Sequence, residues 1–260
     1  MFNYLLRFFW VTSITLILSP LVLASSWQSF EPVKKFLDGS QPATSGLKLD
    51  LPLVSEDGSS VALEVSFEGQ LKSGDQLESI HVFSTGNPNP EIIEFHFMDP
   101  RVLPKVATRV RLNETQTVIA VAKSREGATW VTEREVRVTV SGCLMRSDED
   151  AEAGMQNPRI ALPRRMSAGQ ALDVRTLINH PMETGLREDA QGKLIDQNLI
   201  EAFRLQLGGE TVFRAGLHTG TAANPYIRVQ LKLDTSTPAV FSWKDQQGQE
   251  VQEEREFQLR

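Results

Sequence analysis

The one cysteine of the chain, Cys143, lies in the stretch Ser141-Gly142-Cys143-Leu144-Met145. As a thiolate it would attack an electrophilic sulfur or be joined covalently to a substrate. The bland alternative is a small buried hydrophobe, the usual fate of a lone cysteine. The flanks argue against burial. Trp130, Thr132, Arg134, Val136, Val138 and Val140 alternate as one face of a strand, and Gly142 then breaks that strand. Behind the cysteine, Arg146 to Gly154 is polar and acidic and unsuited to packing. Cys143 is therefore expected at the root of a loop, flanked by Ser141, Gly142, Leu144 and Met145. Asp148, Glu149, Asp150 and Glu152 face one nearby cation, Arg146, and negative neighbours disfavour a thiolate. The free thiol should then titrate at or above its ordinary value of about 8.5.

The other chemistry-bearing residues weigh less. The four histidines, His81, His96, His180 and His218, are scattered, with no cysteine or carboxylate at metal-ligand spacing. His180 and Glu183 read as a metal or acid–base pair in principle. Pro181 puts them in a turn, so a packed, turn-forming or domain-contact role is expected. Arg109 and Arg111 read as a solvated strand face. No nucleophile elbow, phosphate loop or dinucleotide fingerprint occurs. No metal, no cofactor and no self-sufficient enzyme is expected.

The elements that must position Cys143 begin after a leader. Arg7 and the apolar run Phe8 to Leu23, closed by Val22-Leu23-Ala24, read as a secretory signal peptide cut before Ser25. Its removal takes away one positive charge, so the formal net charge moves from −6 to −7, which argues against nucleic acid as a partner. Export also changes the meaning of the cysteine: in an oxidising compartment an unpaired thiol has no disulfide partner within its own chain.

Trp27 to Leu37 reads as one short helix ended by Asp38-Gly39. Strand patterns follow at Val61–Phe67, Ile80–Phe83, Ile92–Met98, Val106–Leu112, Thr117–Ala122 and Thr129–Val140, separated by turn residues. A second series begins at Asn157-Pro158: Leu172 to Ile178, Phe203 to Leu207 with a Gly208-Gly209 hairpin, Ile227 to Leu233, Val240 to Trp243 and a last strand after Gly248. This spacing predicts an all-β fold of two immunoglobulin-like β-sandwich domains in tandem.

The turn His180-Pro181-Met182-Glu183-Thr184-Gly185, with Asn224-Pro225-Tyr226 and Phe241-Ser242-Trp243-Lys244-Asp245, resembles SoxZ, a partner in bacterial sulfur oxidation. Leu49-Asp50-Leu51-Pro52, Glu56-Asp57-Gly58, Asn87-Pro88-Asn89-Pro90 and Ala107-Thr108-Arg109-Val110-Arg111 resemble SoxY in the same order, up to Ser141-Gly142-Cys143. The whole is similar to SoxYZ-like fusions of the quinoprotein dehydrogenase-associated type. With the leader at 1–24 and an acidic linker at 146–156 already read from the residues, the resemblance implies a SoxY-like sandwich at 25–145 and a SoxZ-like sandwich at 157–260. It also implies a periplasmic carrier on which Cys143 holds a sulfur-containing intermediate, thiosulfate-derived in the family, while other proteins do the chemistry. Implied partners are a c-type cytochrome or quinoprotein dehydrogenase and a sulfur-releasing hydrolase, and the second domain is a docking partner for the first.

In the family the cysteine sits between glycines at a free C-terminus, whereas here Leu144 and Met145 follow and the chain continues. Residues 146–156 would span roughly 35–40 Å if extended, so the loop retains reach. Two other readings compete: a non-covalent binding or scaffold module, and a thiol peroxidase or reductase. The last needs a resolving thiol or an activating base, and the sequence offers neither beside Cys143.

Overall fold

The structure, a computed structural model, describes residues 25–140, 154–189 and 191–260. The leader, Cys143 with its flanks Ser141, Gly142, Leu144 and Met145, and the acidic run through Ala153 lie outside the described residues. Among the described residues the fold is all-β with one short α-helix ahead of the strands, and no helix is long and apolar enough to cross a membrane.

A single 3-10 turn, Ser26–Gln28, leads to α1, Glu31–Leu37. Pro32 starts that helix, where its missing N–H costs nothing. Asp38 in the left-handed region ends it, and Gly39 follows at φ 79°. The strands are β1 Leu47–Asp50, β2 Val54–Ser55, β3 Val61–Phe67, β4 Leu77–Ser84, β5 Glu91–Phe97, β6 Val102–Val110, β7 Gln116–Ser124 and β8 Thr129–Val138. The second half adds β9 Gln156–Ala161, β10 Ala171–Asn179, β11 Ile200–Leu207, β12 Glu210–Leu217, β13 Tyr226–Lys232, β14 Thr237–Asp245 and β15 Glu250–Phe257. The alternation read from sequence is realised: Val61, Leu63, Val65 and Phe67 are buried, as are Leu172, Val174, Thr176 and Ile178, and Ile227, Val229 and Leu231.

The two halves are joined strand to strand, not merely packed side by side. One sheet has the order β1-β3-β6-β13-β10-β9 and the other β15-β14-β11-β12-β5-β4-β7-β8-β2. Each sheet therefore crosses from the first half to the second, through β6–β13 and β5–β12. One apolar core fills the space between them, with Phe95 and Phe97 of the first half against Phe213 of the second. A smaller cluster lies on the outside of the nine-stranded sheet, where Val33 and Leu37 of α1 cover Phe83, Ile119, Val121 and Val131.

Candidate functional site

The root of the cysteine loop is held firmly. The N–H of Arg137 donates to Leu53 O at 2.9 Å, that of Thr139 to Ser55 O at 3.0 Å, and that of Gly58 to Val140 O at 3.2 Å. Thr115 brackets Val138 from the other side, its Oγ1 accepting the Val138 N–H at 3.1 Å. These hydrogen bonds hold the backbone as far as Val140, three residues before Cys143. Leu53, Val54 and Val140 are 67%, 52% and 61% exposed, an apolar patch at the last described residues before Cys143. On the return side Met155 is buried, and its N–H donates to Gln249 Oε1 at 3.3 Å. A Cβ on Gly154 would stand 2.5 Å from that same oxygen, so any larger residue there would displace the Gln249 amide from Met155.

Departure and return share one end of the molecule. Across the antiparallel pairings, β4, β12 and β14 run the same way as β8, so their C-terminal ends lie together. The short connection 218–225 carries the chain from that end of β12 to the start of β13, which pairs with the ends of β6 and β10. The end of β10 in turn pairs with the start of β9, Asn179 opposite Gln156. The same end therefore collects the turn at 85–90, Arg111, the segment 180–199 and the β14–β15 turn.

The centrepiece of that end is the His180–Gly185 turn. Its expected role as a packed turn and domain contact is the one the geometry supports. His180 and Glu183 do not pair. Glu183 accepts from Arg187 Nε at 2.8 Å and from its Nη2, and its Oε1 accepts the Gly185 N–H at 3.2 Å. His180 Nδ1 accepts the Met182 N–H at 3.1 Å, and the Asn224 side chain accepts the His180 N–H. Burial pushes the His180 imidazole down to about 4, Asp245 opposing and Arg111 reinforcing. Met182 has φ 52°, a left-handed conformation uncommon outside glycine.

The clamp on this strained turn is Arg111, and here the sequence reading is corrected. Arg111 lies just past β6, not on a solvated face, and is 9% exposed. Its guanidinium reaches across the halves and donates to Met182 O at 2.7 Å and Pro181 O at 2.9 Å. Asn87 Nδ2 holds the Arg111 carbonyl at 2.8 Å. Arg109 does face outward, over the Tyr226 ring, beside a cleft of about 380 Å³ also lined by Asp50, Glu64 and Arg228.

A second correction concerns the histidines. Scattered in sequence, three of the four converge once the strands pair. His81 on β4 is directly opposite Glu94 on β5, which is directly opposite Gly216 on β12. Two residues further along β5, His96 falls on the same outer face, and Glu91 and His218 complete the group. His81 Nδ1 is 2.7 Å from Glu91 Oε1 and 3.4 Å from Glu94 Oε2, and His96 Nε2 is 3.5 Å from Glu94 Oε1. The hydrogen bond with His96 holds the Glu94 carboxyl below its ordinary value against the opposing effect of burial, helped by the charges of His81, His96 and His218. The only local signal in sequence was parity: His81 stands between Ile80 and Val82, and Glu94 and His96 flank Phe95, so all three point away from the core.

Comparison with known proteins divides the chain as the sheets do not. The family model for sulfur oxidation protein SoxY matches residues 33–143, and that for sulphur oxidation protein SoxZ matches residues 160–256. No match is found among curated proteins. Among solved structures, the chain is similar to the sulfur carrier protein SoxY from Chlorobium limicola f thiosulfatophilum, at 25% identity over 42% of this chain and 94% of that one, with a TM-score of 0.35. It is also similar to the superoxide reductase (neelaredoxin) from Ignicoccus hospitalis, at 18% identity over 36% of this chain and 81% of that one, TM-score 0.33. A putative superoxide reductase from Thermotoga maritima matches at 18% identity over 40% and 89%, TM-score 0.33.

Proposed function

Since this chain belongs to the SoxY and SoxZ families, one domain of each in tandem as in a SoxYZ-like fusion, we propose that it is a periplasmic covalent carrier. Cys143 holds a sulfur-containing intermediate while separate enzymes act on it. The observation that carries this reading is where the SoxY match stops: it runs to residue 143, the one cysteine of the chain. The backbone held by hydrogen bonds as far as Val140 supports it too, because it fixes the point from which the chain continues to Cys143.

The chemistry names the kind of partner. Joining a thiol to a second sulfur anion forms one S–S bond, releases the thiol proton and removes two electrons. The carrier supplies no acceptor for those electrons, so a redox partner must, and a c-type cytochrome or quinoprotein dehydrogenase is of that class. Release by hydrolysis needs a different partner, since no activating base is built around the cysteine in sequence. The carrier itself performs neither step, and the second domain holds the first in place.

Intact-mass measurement of protein purified from its native periplasm tests the reading. Wild type should carry a sulfur-containing adduct that reductant removes, and Cys143→Ser should carry none. The same variant should unfold within about 0.5 kcal/mol of wild type, the range of surface changes away from packed features. Unmodified wild type under sulfur-oxidising growth would favour a non-covalent scaffold. N-terminal sequencing of the same material should begin at Ser25.

A further inference from the structure

We propose that the outer face of the nine-stranded sheet binds one divalent transition-metal ion of the zinc class, held by His81, Glu94 and His96, with Glu91 and His218 beside it. The site is separate from Cys143 and does not depend on the carrier reading.

The register builds it. Three adjacent strands contribute, and because β4, β5 and β12 are interior strands of a continuous sheet their spacing is fixed by backbone hydrogen bonds. The residue paired with Glu94 on the third strand is Gly216, where a Cβ would stand 2.5 Å from Glu94 Oε1. Any larger residue there would push the carboxylate out of place. On the other side the Phe36 ring of α1 lies 4.4 Å from the His81 ring and restricts it.

The separations suit an ion. In a tetrahedral site with bonds of about 2.0–2.1 Å, neighbouring ligand atoms are about 3.3 Å apart. His81 Nδ1 lies 3.4 Å from Glu94 Oε2 and His96 Nε2 lies 3.5 Å from Glu94 Oε1, so the carboxylate bridges the two rings, and one ligand atom from each of the three residues falls within 4.8 Å of the others. Glu91 Oε1, at 2.7 Å, accepts the proton that His81 Nδ1 carries in its hydrogen-bonded form. Metal binding at Nδ1 takes the neutral tautomer that carries its proton on Nε2, reached by proton exchange with solvent, and leaves Glu91 next to the ion. His218 Nε2 is buried, has no hydrogen-bond partner, and stands 4.0 Å from Glu91 Oε2. A buried imidazole nitrogen without a partner, turned towards two carboxylates, is what a cation would satisfy.

The donor set selects the ion. Two imidazoles and a carboxylate suit zinc and its first-row neighbours, whereas calcium and magnesium prefer oxygen alone. Three protein ligands leave a coordination position open, and a cleft of about 550 Å³ lined by Glu91, Glu94, Gly216 and His218 lies beside the group.

The test uses untagged, chelator-stripped full chain and titration calorimetry with Zn²⁺, supported by Co²⁺ visible absorption. One Zn²⁺ per chain should bind with a micromolar or tighter Kd. His81→Ala and His96→Gln should each weaken it by at least about a hundredfold, since even outer partners of a metal site are worth 10–100-fold. Gly216→Val should weaken it while leaving all ligands in place. Cys143→Ser should bind as wild type. Urea midpoints of the stripped variants establish that they are folded, and a variant that is not is replaced by His218→Ala, expected to weaken binding about tenfold. Millimolar or weaker binding by wild type, binding unchanged in the His81 and His96 variants, or binding lost in Cys143→Ser would each overturn the proposal.

Discussion

Buried His180 shows how a residue without catalytic work sets the working pH of the fold. It is 2% exposed, and its imidazole titrates near 4 because burial disfavours the charged ring, more than Asp245 favours it. Above about pH 6.5 the ring is neutral in folded and unfolded chains alike, so it contributes no pH dependence. Between about 6.5 and 4 the unfolded chain takes up a proton that the folded chain refuses. Stability therefore falls on acidification by about 1.4 kcal/mol per pH unit, roughly 3 kcal/mol in all, and levels off below 4. His180→Asn, whose side-chain oxygen replaces Nδ1 as acceptor for Met182, should flatten that slope even if it lowers stability throughout. Urea midpoints of both proteins at pH 7.5, 5.5 and 4.5 measure it, and parallel curves would mean that the ring is protonated in the folded chain.

At the scale of elements, the strand joints and the turn they clamp decide how firmly the loop root is placed. Arg111 supplies two hydrogen bonds across the halves to the carbonyls of Pro181 and Met182, and these hold Met182 in its left-handed conformation. Arg111→Ala leaves both carbonyls without their donor and should cost about 3 kcal/mol, read from the urea midpoint at unchanged slope. Arg111→Lys keeps the charge but not the planar fork, so it should recover only part of the loss. A change under about 0.5 kcal/mol in the alanine variant would show that the turn holds itself. Little of this clamp was legible in sequence. Period-2 alternation located nearly every long strand, because burial of one face is written locally in residues such as Val61, Leu63 and Val65. Arg111 carries the same alternating signal as Arg109, and only the end of β6 at Val110 separates the buried one from the exposed one. The convergence of His81, Glu94 and His218 was hidden for a related reason: strand partners are chosen by the whole sheet, and no local period records them. Leu47–Asp50 and Val54–Ser55 were too short to show alternation.

For the molecule as a whole, the question is whether the halves behave as one body once the peptide between them is cut. Each sheet passes through the joint, with Phe213 to Leu217 of β12 paired to β5 and Ile227 to Leu231 of β13 paired to β6. Separation would unpair an edge of both sheets in each half and expose the core between them. Phe95, Phe97, Val106, Phe213, Ile227 and Val229 are buried beside that joint. At about 1.5–3 kcal/mol for each such side chain, these six alone are worth on the order of 10 kcal/mol or more. Holding two bodies together costs about 4–15 kcal/mol at the standard state. The hydrogen bonds of two strand pairs and the buried Arg111 contacts lie on top of that, so the balance favours a complex that survives cutting. Limited proteolysis within 146–154 should yield two fragments on a denaturing gel and one species, at the intact size, on gel filtration. Urea should unfold the uncut chain in a single transition seen alike by tryptophan fluorescence and circular dichroism, because Trp130 and Trp243 report on opposite halves of one core. Fragments that elute separately, or two resolved transitions, would mean that the halves fold apart and that the shared sheets add little. If Cys143 carries its cargo as proposed, cutting within 146–154 leaves it near a free chain end, and its loading in the cut complex should then be no slower than in the intact chain.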